Sequence, residues 1–209
     1  MSTTVAAYQL VETDEGVRGR HTRIPLEDLG EGDVLIRVTH SSVNYKDGLA
    51  ATGRAPIARR LPLVGGCCAA GTVVEPGESG LPADTVVAVV GATLSEQHNG
   101  GYCEYLRVPA AWVVAVPEAF TSRQAAAIGT AGVTSAMAVV KLEDAGVTPE
   151  SGPIAVTGAS GGAGSLAVAL LAARGYEVTA LTGKPEAEDL LRDLGAANVA
   201  PRPDTSGTR

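Results

Sequence analysis

Ile154–Leu171 reads IAVTGASGGAGSLAVALL, and the fold of the chain turns on how this stretch is read. Ile154-Ala155-Val156 is a short apolar run, Thr157–Gly164 is a glycine-rich turn, and Ser165–Ala173 is an apolar run of helical length. Strand, glycine turn and helix start, in that order, build a dinucleotide site. One glycine permits the tight turn, one lets the backbone approach a pyrophosphate, and one lets the helix pack closely on the strand. The free N–H groups and the positive dipole end of the helix then face the phosphates. The spacing is G-x-x-G-G-x-G rather than G-x-G-x-x-G, so the turn alone would also suit an ordinary α/β unit.

The segment downstream sharpens the reading. A second apolar run, Glu177–Leu181, ends at Thr182-Gly183-Lys184. Thr182 lies about 20 residues beyond Gly162, where a NAD site places a carboxylate for the ribose 2′-hydroxyl. Here no carboxylate stands there, and Lys184 brings a cation that welcomes a 2′-phosphate, so the site reads as one for NADPH. Pro185–Leu194 follows as a helix, with proline near its start and Gly195 at its end. Asn198-Val199-Ala200 starts a third strand, and Pro201–Arg209 carries no core pattern. This is about one half of a doubly wound fold, and no internal repeat substitutes for the other half. An open edge on the third strand and apolar positions near Leu190 and Leu194 would suit a homodimer.

Upstream, Thr121–Asp144 is Ala-rich with apolar residues at helical spacing. Gly129–Gly132 interrupts it, which predicts two helices. Thr121 and Gln124 form a capping-box pattern at its start. Before Pro117 the character is different. Val5–Val11, Asp33–Val43, Gly71–Glu75, Thr85–Gly91, Gly101–Val108 and Val113–Val116 read as short strands separated by turn residues, which predicts a small barrel or sandwich.

Composition excludes several classes of function. The 209 residues carry a net charge of −7 with no basic tract, so nucleic-acid binding is not expected. Met1–Gln9 lacks the basic and apolar regions of a signal sequence, and no run approaches the ~20 apolar residues of a membrane span. Three cysteines, two of them adjacent, do not make a disulfide framework, so a reduced, cytoplasmic protein is expected. His21, His40 and His98 have no cysteine partner in the sequence pattern and read as surface or hydrogen-bonded residues.

With SSVNYKDGLA (residues 41–50) beside the glycine turn, the chain resembles the medium-chain dehydrogenase/reductase superfamily. The nearest likeness is to its zinc-free quinone-oxidoreductase-like subgroup, which includes NADPH-dependent acrylyl-CoA reductases. The stretches GTV (71–73), NGGYCEYLRV (99–108), AAIGTAGVTSAMAV (126–139), LEDAGV (142–147), VTGASGGAGS (156–165) and LRDLGAANVAPR (191–202) match in order along nearly the whole chain. The resemblance implies an α/β protein with a GroES-like β-barrel domain over residues 1–117. A partial Rossmann-type NADP-binding domain follows over residues 118–209. Ser160, Gly161, Gly162 and Ala163 would hold the pyrophosphate. Thr182, Gly183, Lys184 and Arg202 would hold the 2′-phosphate, and Tyr45 would lie beside the nicotinamide end.

The activity it implies is NADPH-dependent reduction of an activated C=C bond, in an enoyl thioester such as acrylyl-CoA or in an enone, or of a quinone. Asn44 and Tyr45 would then orient the substrate or carry charge on its carbonyl oxygen, with Asp47 behind them. Asn, Tyr and Asp at a strand-to-loop turn also occur for turn reasons alone. Two departures stand against full activity. Relatives usually read Pro-Gly-x-Asp where this chain reads Gly65-Gly66-Cys67-Cys68, which puts Cys68 at a usually acidic position. Relatives also continue well beyond this length, so a shortened chain is expected. A non-catalytic NADPH-binding or structural remnant is therefore the alternative. Zinc relatives place ligands at columns where this chain has Cys67, Asn44 and Thr130. The last two are not usual ligands, so no metal is expected.

Overall fold

The sequence TVAAYQLVET forms β1 (Thr4–Thr13), which turns Val5, Ala7 and Leu10 into the core. The structure, a computed structural model, describes residues 3–203. β1 pairs along its full length with an antiparallel strand, β2 (Gly16–Pro25). Nothing in GVRGRHTRIP predicts this strand. Only Ile24 in it is buried, and the ladder with β1 rather than its own pattern makes it extended.

β3 (Val34–His40) is shorter than the run Asp33–Val43 suggested. It lies between β7 and β5 in a five-stranded antiparallel sheet in the order β7-β3-β5-β6-β8. The partners are β5 (Cys68–Glu75), β6 (Val86–Val90), β7 (Tyr105–Val108) and β8 (Val114–Ala115). β4 (Leu63–Val64) adds to the other side of β1 in a three-stranded sheet. The segment just before β7 stitches the two sheets: Tyr8 N–H donates to Tyr102 O (2.8 Å) and Glu104 N–H to Ala6 O (3.0 Å). The five-stranded sheet holds a core of Val34, Ile36, Val73, Val87, Leu106 and Val108, a second core gathers Val5, Ala7, Ile24, Leu35 and Val64, and the strands form two joined sheets and not one closed barrel.

Beyond His40 the chain leaves the strand through the irregular residues 41–44. It enters α1 (Tyr45–Ala51), with Asn44 at its N-cap. The Asp47 carboxylate reaches back to accept the Asn44 backbone N–H at 2.9 Å, the reciprocal half of a capping box.

The next helical segment, α2 (Ser122–Asp144), opens on the expected cap. Thr121 N–H donates to Gln124 Oε1 at 2.9 Å and Gln124 N–H to Thr121 Oγ1 at 3.3 Å. It breaks at Gly129 (φ 38°, ψ −142°), a left-handed geometry that a side chain disfavours. By length and composition α2 could cross a membrane. It is broken at Gly129, and 28% of its apolar stretch is buried, with Val139 among the core residues of the second unit.

The chain divides into two compact units, Met1–Thr130 and Ala131–Arg209. The second contains β9 (Ile154–Thr157), α3 (Gly162–Ala173), β10 (Val178–Thr182), α4 (Glu188–Asp193) and β11 (Asn198–Pro201). Its three strands are parallel in the order β11-β10-β9, as strands joined by crossover helices must be. Val168, Leu171, Val178, Ala180 and Leu191 make its core. Pro185–Ala187 is a 3-10 turn leading into α4, so the expected helix Pro185–Leu194 begins with a tighter turn.

Candidate functional site

In the second unit the apolar run of β9 ends at Gly158, which adopts φ 61°, and the turn closes with Gly161 N–H donating to Gly158 O (2.9 Å). α3 then starts at Gly162, with extended Gly161 as its N-cap and no side chain bonding its first turn. The leading N–H groups of Gly162, Ala163 and Gly164 therefore point out with no intrahelical partner. A methyl group built on Gly162 would meet only the Ala131 Cβ, at 3.6 Å, so this face of the turn is open to a ligand.

The carboxyl ends of the three strands bring the remaining expected cofactor residues together. Ser160 Oγ and Thr182 Oγ1 share a hydrogen bond of 2.8 Å, Lys184 N–H donates to Thr182 Oγ1 (3.1 Å), and Arg202 N–H donates to Thr182 O (3.1 Å). Thr182 is buried and its hydroxyl is used inside the fold. It positions Ser160 and the Lys184 backbone rather than offering a free donor. Lys184 and Arg202 are exposed, and neither makes an ion pair among the described residues. Beside Thr182 and Gly183 lies a cavity of about 210 Å³, also lined by Pro185, Glu188 and Val199. Sequence reasoning did not single out Glu188, which is bonded to Arg192 at 2.7 Å.

Gly158-Ala159-Ser160-Gly161-Gly162 also fits the G-x-S-x-G pattern of a hydrolase elbow. Ser160 is bonded to Thr182, however, and all three histidines belong to the first unit. The second unit itself therefore supplies no histidine as a base for it.

In the first unit the turn Ser41–Asp47 gathers a polar cluster at the start of α1. The buried Asp47 carboxylate accepts Cys67 N–H at 3.0 Å and Asn44 N–H at 2.9 Å. The Asn44 amide Nδ2 lies 3.2 Å from each of Asp47 Oδ2, Ser42 Oγ and Cys67 Sγ. An acceptor-only carboxylate at that distance settles which end of the amide faces inward. The Asn44 N–H groups are therefore taken, and the amide donor expected for a substrate oxygen is not available. Tyr45 is the opposite case, 85% exposed with a free phenol. Among the three expected residues it alone presents a donor outward.

Cys67 and Cys68 are more than the small core residues their types suggest. Both are buried, Cys68 Sγ lies 2.9 Å from Ser42 Oγ, and Cys67 Sγ lies 3.3 Å from Thr130 Oγ1. The neighbouring Cys67 thiol holds the pKa of Cys68 below the usual thiol range, with Ser42 adding a further donor. The same contact, followed by burial, pushes Cys67 up. Tyr102, whose hydroxyl donates to Ser42 O (3.0 Å), is pushed up by burial and then by the nearby Asp47 charge, so it stays a neutral phenol. Ser42, Tyr102 and Thr130 were not read as site residues. They lie in the quoted stretches 41–50, 99–108 and 126–139, but nothing in those stretches gives them a role beyond Thr130 as an unusual zinc ligand, and only folding brings them to this cluster.

A groove of about 740 Å³ also opens in this unit, lined by Tyr8, His21, Val43, Gly48, Tyr102 and Glu104 among others. Tyr45 does not line it. Among the described residues no three His, Cys, Asp or Glu side chains converge as a metal site would require.

Residues 30–118 match the family described as alcohol dehydrogenase GroES-like domain. Over 186 residues the chain is 44% identical to acrylyl-CoA reductase AcuI of Ruegeria pomeroyi, covering 89% of this chain and 56% of that protein. Over 204 residues it is 42% identical to the putative quinone oxidoreductase YhfP of Bacillus subtilis, covering 98% of this chain and 62% of that protein. The solved structure of yhfP, with NAD bound, superposes with a TM-score of 0.90 over 96% of this chain and 61% of that one, at 41% identity. The yhdH oxidoreductase of Salmonella enterica, in complex with NADP, superposes with a TM-score of 0.92 at 40% identity, over 98% of this chain and 63% of that one. The chain thus spans little more than half the length of these relatives. The open glycine turn, the α/β fold and these matches agree: residues 30–118 match the alcohol dehydrogenase GroES-like domain, and the chain as a whole is similar to oxidoreductases of the medium-chain dehydrogenase/reductase kind.

Proposed function

We propose that this chain is an NADPH-dependent reductase of an activated C=C bond, with an enoyl thioester of the acrylyl-CoA kind, an enone or a quinone as its small-molecule substrate. The observation that carries the reading is the uncapped α3 N-terminus, with Lys184 and Arg202 at the neighbouring strand ends. The fit to the nucleotide is favourable. Gly162 and Ala163 offer backbone N–H groups to the pyrophosphate, Gly161 closes the turn that presents them, and Ser160 is oriented beside them. Gly183, Lys184 and Arg202 supply backbone and charge for a 2′-phosphate.

NADPH, when bound, supplies hydride to the β-carbon of the alkene. As negative charge grows on the substrate carbonyl oxygen, Tyr45 offers its phenol O–H to it. Asn44 and Asp47 hold the start of α1 that carries Tyr45. Asn44 acts here through its cap and not through its amide. The three free cysteines suit a reducing compartment such as the cytoplasm. Leu190, 53% exposed, is where a second copy would pair in a homodimer.

NADPH titration of the purified chain, with NADH as control, tests the reading. Lys184→Ala is expected to weaken NADPH about tenfold and leave NADH unchanged, since one charge-assisted contact to the 2′-phosphate is lost. No NADPH binding at millimolar concentration by a folded chain would refute it. Tyr45→Phe is expected to lower kcat for acrylyl-CoA by about 100-fold, the usual cost of one oxyanion donor. Because Tyr45 is exposed, the melting temperature should not move. Binding with no turnover in the parent chain would leave a nucleotide-binding protein of the same fold, the reading favoured by Cys68 at a usually acidic position.

A further inference from the structure

The loop that follows α1 reads ATGRAPIARRLP over residues 51–62, with three arginines and no acidic residue, in a chain of net charge −7. We propose that Arg54, Arg59 and Arg60 dock the phosphate-bearing nucleotide handle of a coenzyme A thioester, which makes this loop the feature that selects a thioester over a quinone or simple enone. The inference rests on the reductase reading above for its reaction, but not for its binding chemistry.

Three observations support it. First, the guanidinium groups are not neutralised. The ion pairs of the first unit join Arg18 to Glu15, Lys46 to Glu96 and Arg107 to Glu75, and none reaches the loop arginines among the described residues. Arg60 spends only its Nε, on Gln97 O, and keeps both terminal nitrogens. Second, the loop is held in place by backbone contacts. Arg54 N–H donates to Leu49 O (3.1 Å), Ile57 N–H to Ala55 O (2.8 Å) and Arg59 N–H to Glu96 O (2.7 Å), while Arg18 Nη1 clamps Thr52 O at 3.2 Å. The charges are thus presented on ordered backbone, which lowers the entropic cost of using them. Third, the loop is tied to the end of α1 that carries Tyr45. Lys46 Nζ lies 2.6 Å from Glu96 Oε1, and the same residue's carbonyl takes the Arg59 N–H.

Arginine matches phosphate geometry with paired, planar N–H donors, and three arginines outside any ion pair between residues 54 and 60, with the neighbouring Glu96 already taken by Lys46, suit a polyphosphate handle. Coenzyme A carries a pyrophosphate and a 3′-phosphate far from its thioester. A quinone or simple enone carries nothing for the loop to hold. Binding energy from such a remote handle can then serve the reacting end. NADPH bears phosphates too, so the shared chemistry is a phosphorylated nucleotide, and the experiment must separate the two sources.

Calorimetric titration of the full chain with coenzyme A, pantetheine and NADPH does so. The parent chain is compared with the exposed double variant Arg54→Ala/Arg59→Ala and with Arg59→Lys, each confirmed as folded by Trp112 emission. The expected result is coenzyme A binding weakened at least tenfold in the double variant and less in Arg59→Lys. It should also weaken with added salt, with pantetheine and NADPH unchanged. Equal coenzyme A affinity in parent and double variant, or coenzyme A bound no better than pantetheine by the parent, would overturn the proposal. A parallel loss of NADPH would overturn it as well, by assigning the arginines to the cofactor. Arginine-dependent coenzyme A binding by a parent chain that fails to bind NADPH would uphold the handle site while refuting the reductase reading.

Discussion

Gly164→Ala is expected to cost about 3 kcal/mol and to abolish NADPH binding with it, whereas Gly162→Ala should abolish binding at no cost in stability. The two glycines are neighbours in one turn, yet their surroundings differ. A Cβ on Gly164 would sit 2.2 Å from Gly158 O and 2.8 Å from Ala159 Cα, both backbone atoms of the turn that cannot swing aside. The helix would have to back away from β9, which would open the core around Val168 and Leu171. A Cβ on Gly162 meets only Ala131 at 3.6 Å, an ordinary contact, and alanine is a better helix former than glycine. Its methyl group would instead stand where backbone must approach the pyrophosphate. Hydrogen exchange over β9 and α3 reads stability, and nucleotide titration reads binding. The expected pattern is faster exchange in the first variant only and at least tenfold weaker NADPH in both. Gly162→Ala binding NADPH as the parent does would place the pyrophosphate elsewhere.

The second large effect is expected at Asp47, and it is on stability before it is on chemistry. Asp47→Ala removes the acceptor of two backbone N–H groups, Cys67 and Asn44, in a site with almost no solvent. Each orphaned donor keeps its desolvation cost without its bond, and about 3 kcal/mol is the expected loss. The Asn44 amide loses its charged partner at the same time, so the start of α1 frays and Tyr45 is no longer held. Asp47→Asn should cost less, because its amide oxygen still accepts one N–H. Denaturant unfolding followed by Trp112, the lone tryptophan and a residue of the first unit, measures this directly. An Asp47→Ala chain as stable as the parent but inactive would make Asp47 a participant in the reaction and not a support for it.

These two sites also show how unevenly the molecule could be read from its residues. Ile154–Leu171 is legible because strand, turn and helix are consecutive and each has its own local rule. The apolar period changes from 2 to 3.6 across a glycine cluster, and the structure places β9, the turn and α3 there. Thr121 and Gln124 are a reciprocal pair three residues apart, so the start of α2 was legible too, as was the break at Gly129. β2 was not, because its strand state comes from ten cross-strand partners in β1 and not from its own arginine-rich sequence. α1 was read as a loop since its seven residues are too few to show a helical period, although Asn44 and Asp47 held the capping signal.

The roles within the expected site were the least legible part. Asn44, Tyr45 and Asp47 are adjacent in sequence and of similar polarity, and nothing local distinguishes them. The tertiary structure assigns three different states: an amide spent on Ser42, Asp47 and Cys67, an exposed phenol, and a buried carboxylate holding two backbone donors. Those partners lie as far as 23 residues away in the chain. By itself, then, the sequence determined the likeness to these oxidoreductases, the parallel strand–turn–helix unit and the absence of a carboxylate at Thr182-Gly183-Lys184, because these depend on residue type and short spacing. Which polar groups remain free to meet a ligand was decided only by folding, because a donor's availability depends on what long-range contacts have already claimed it.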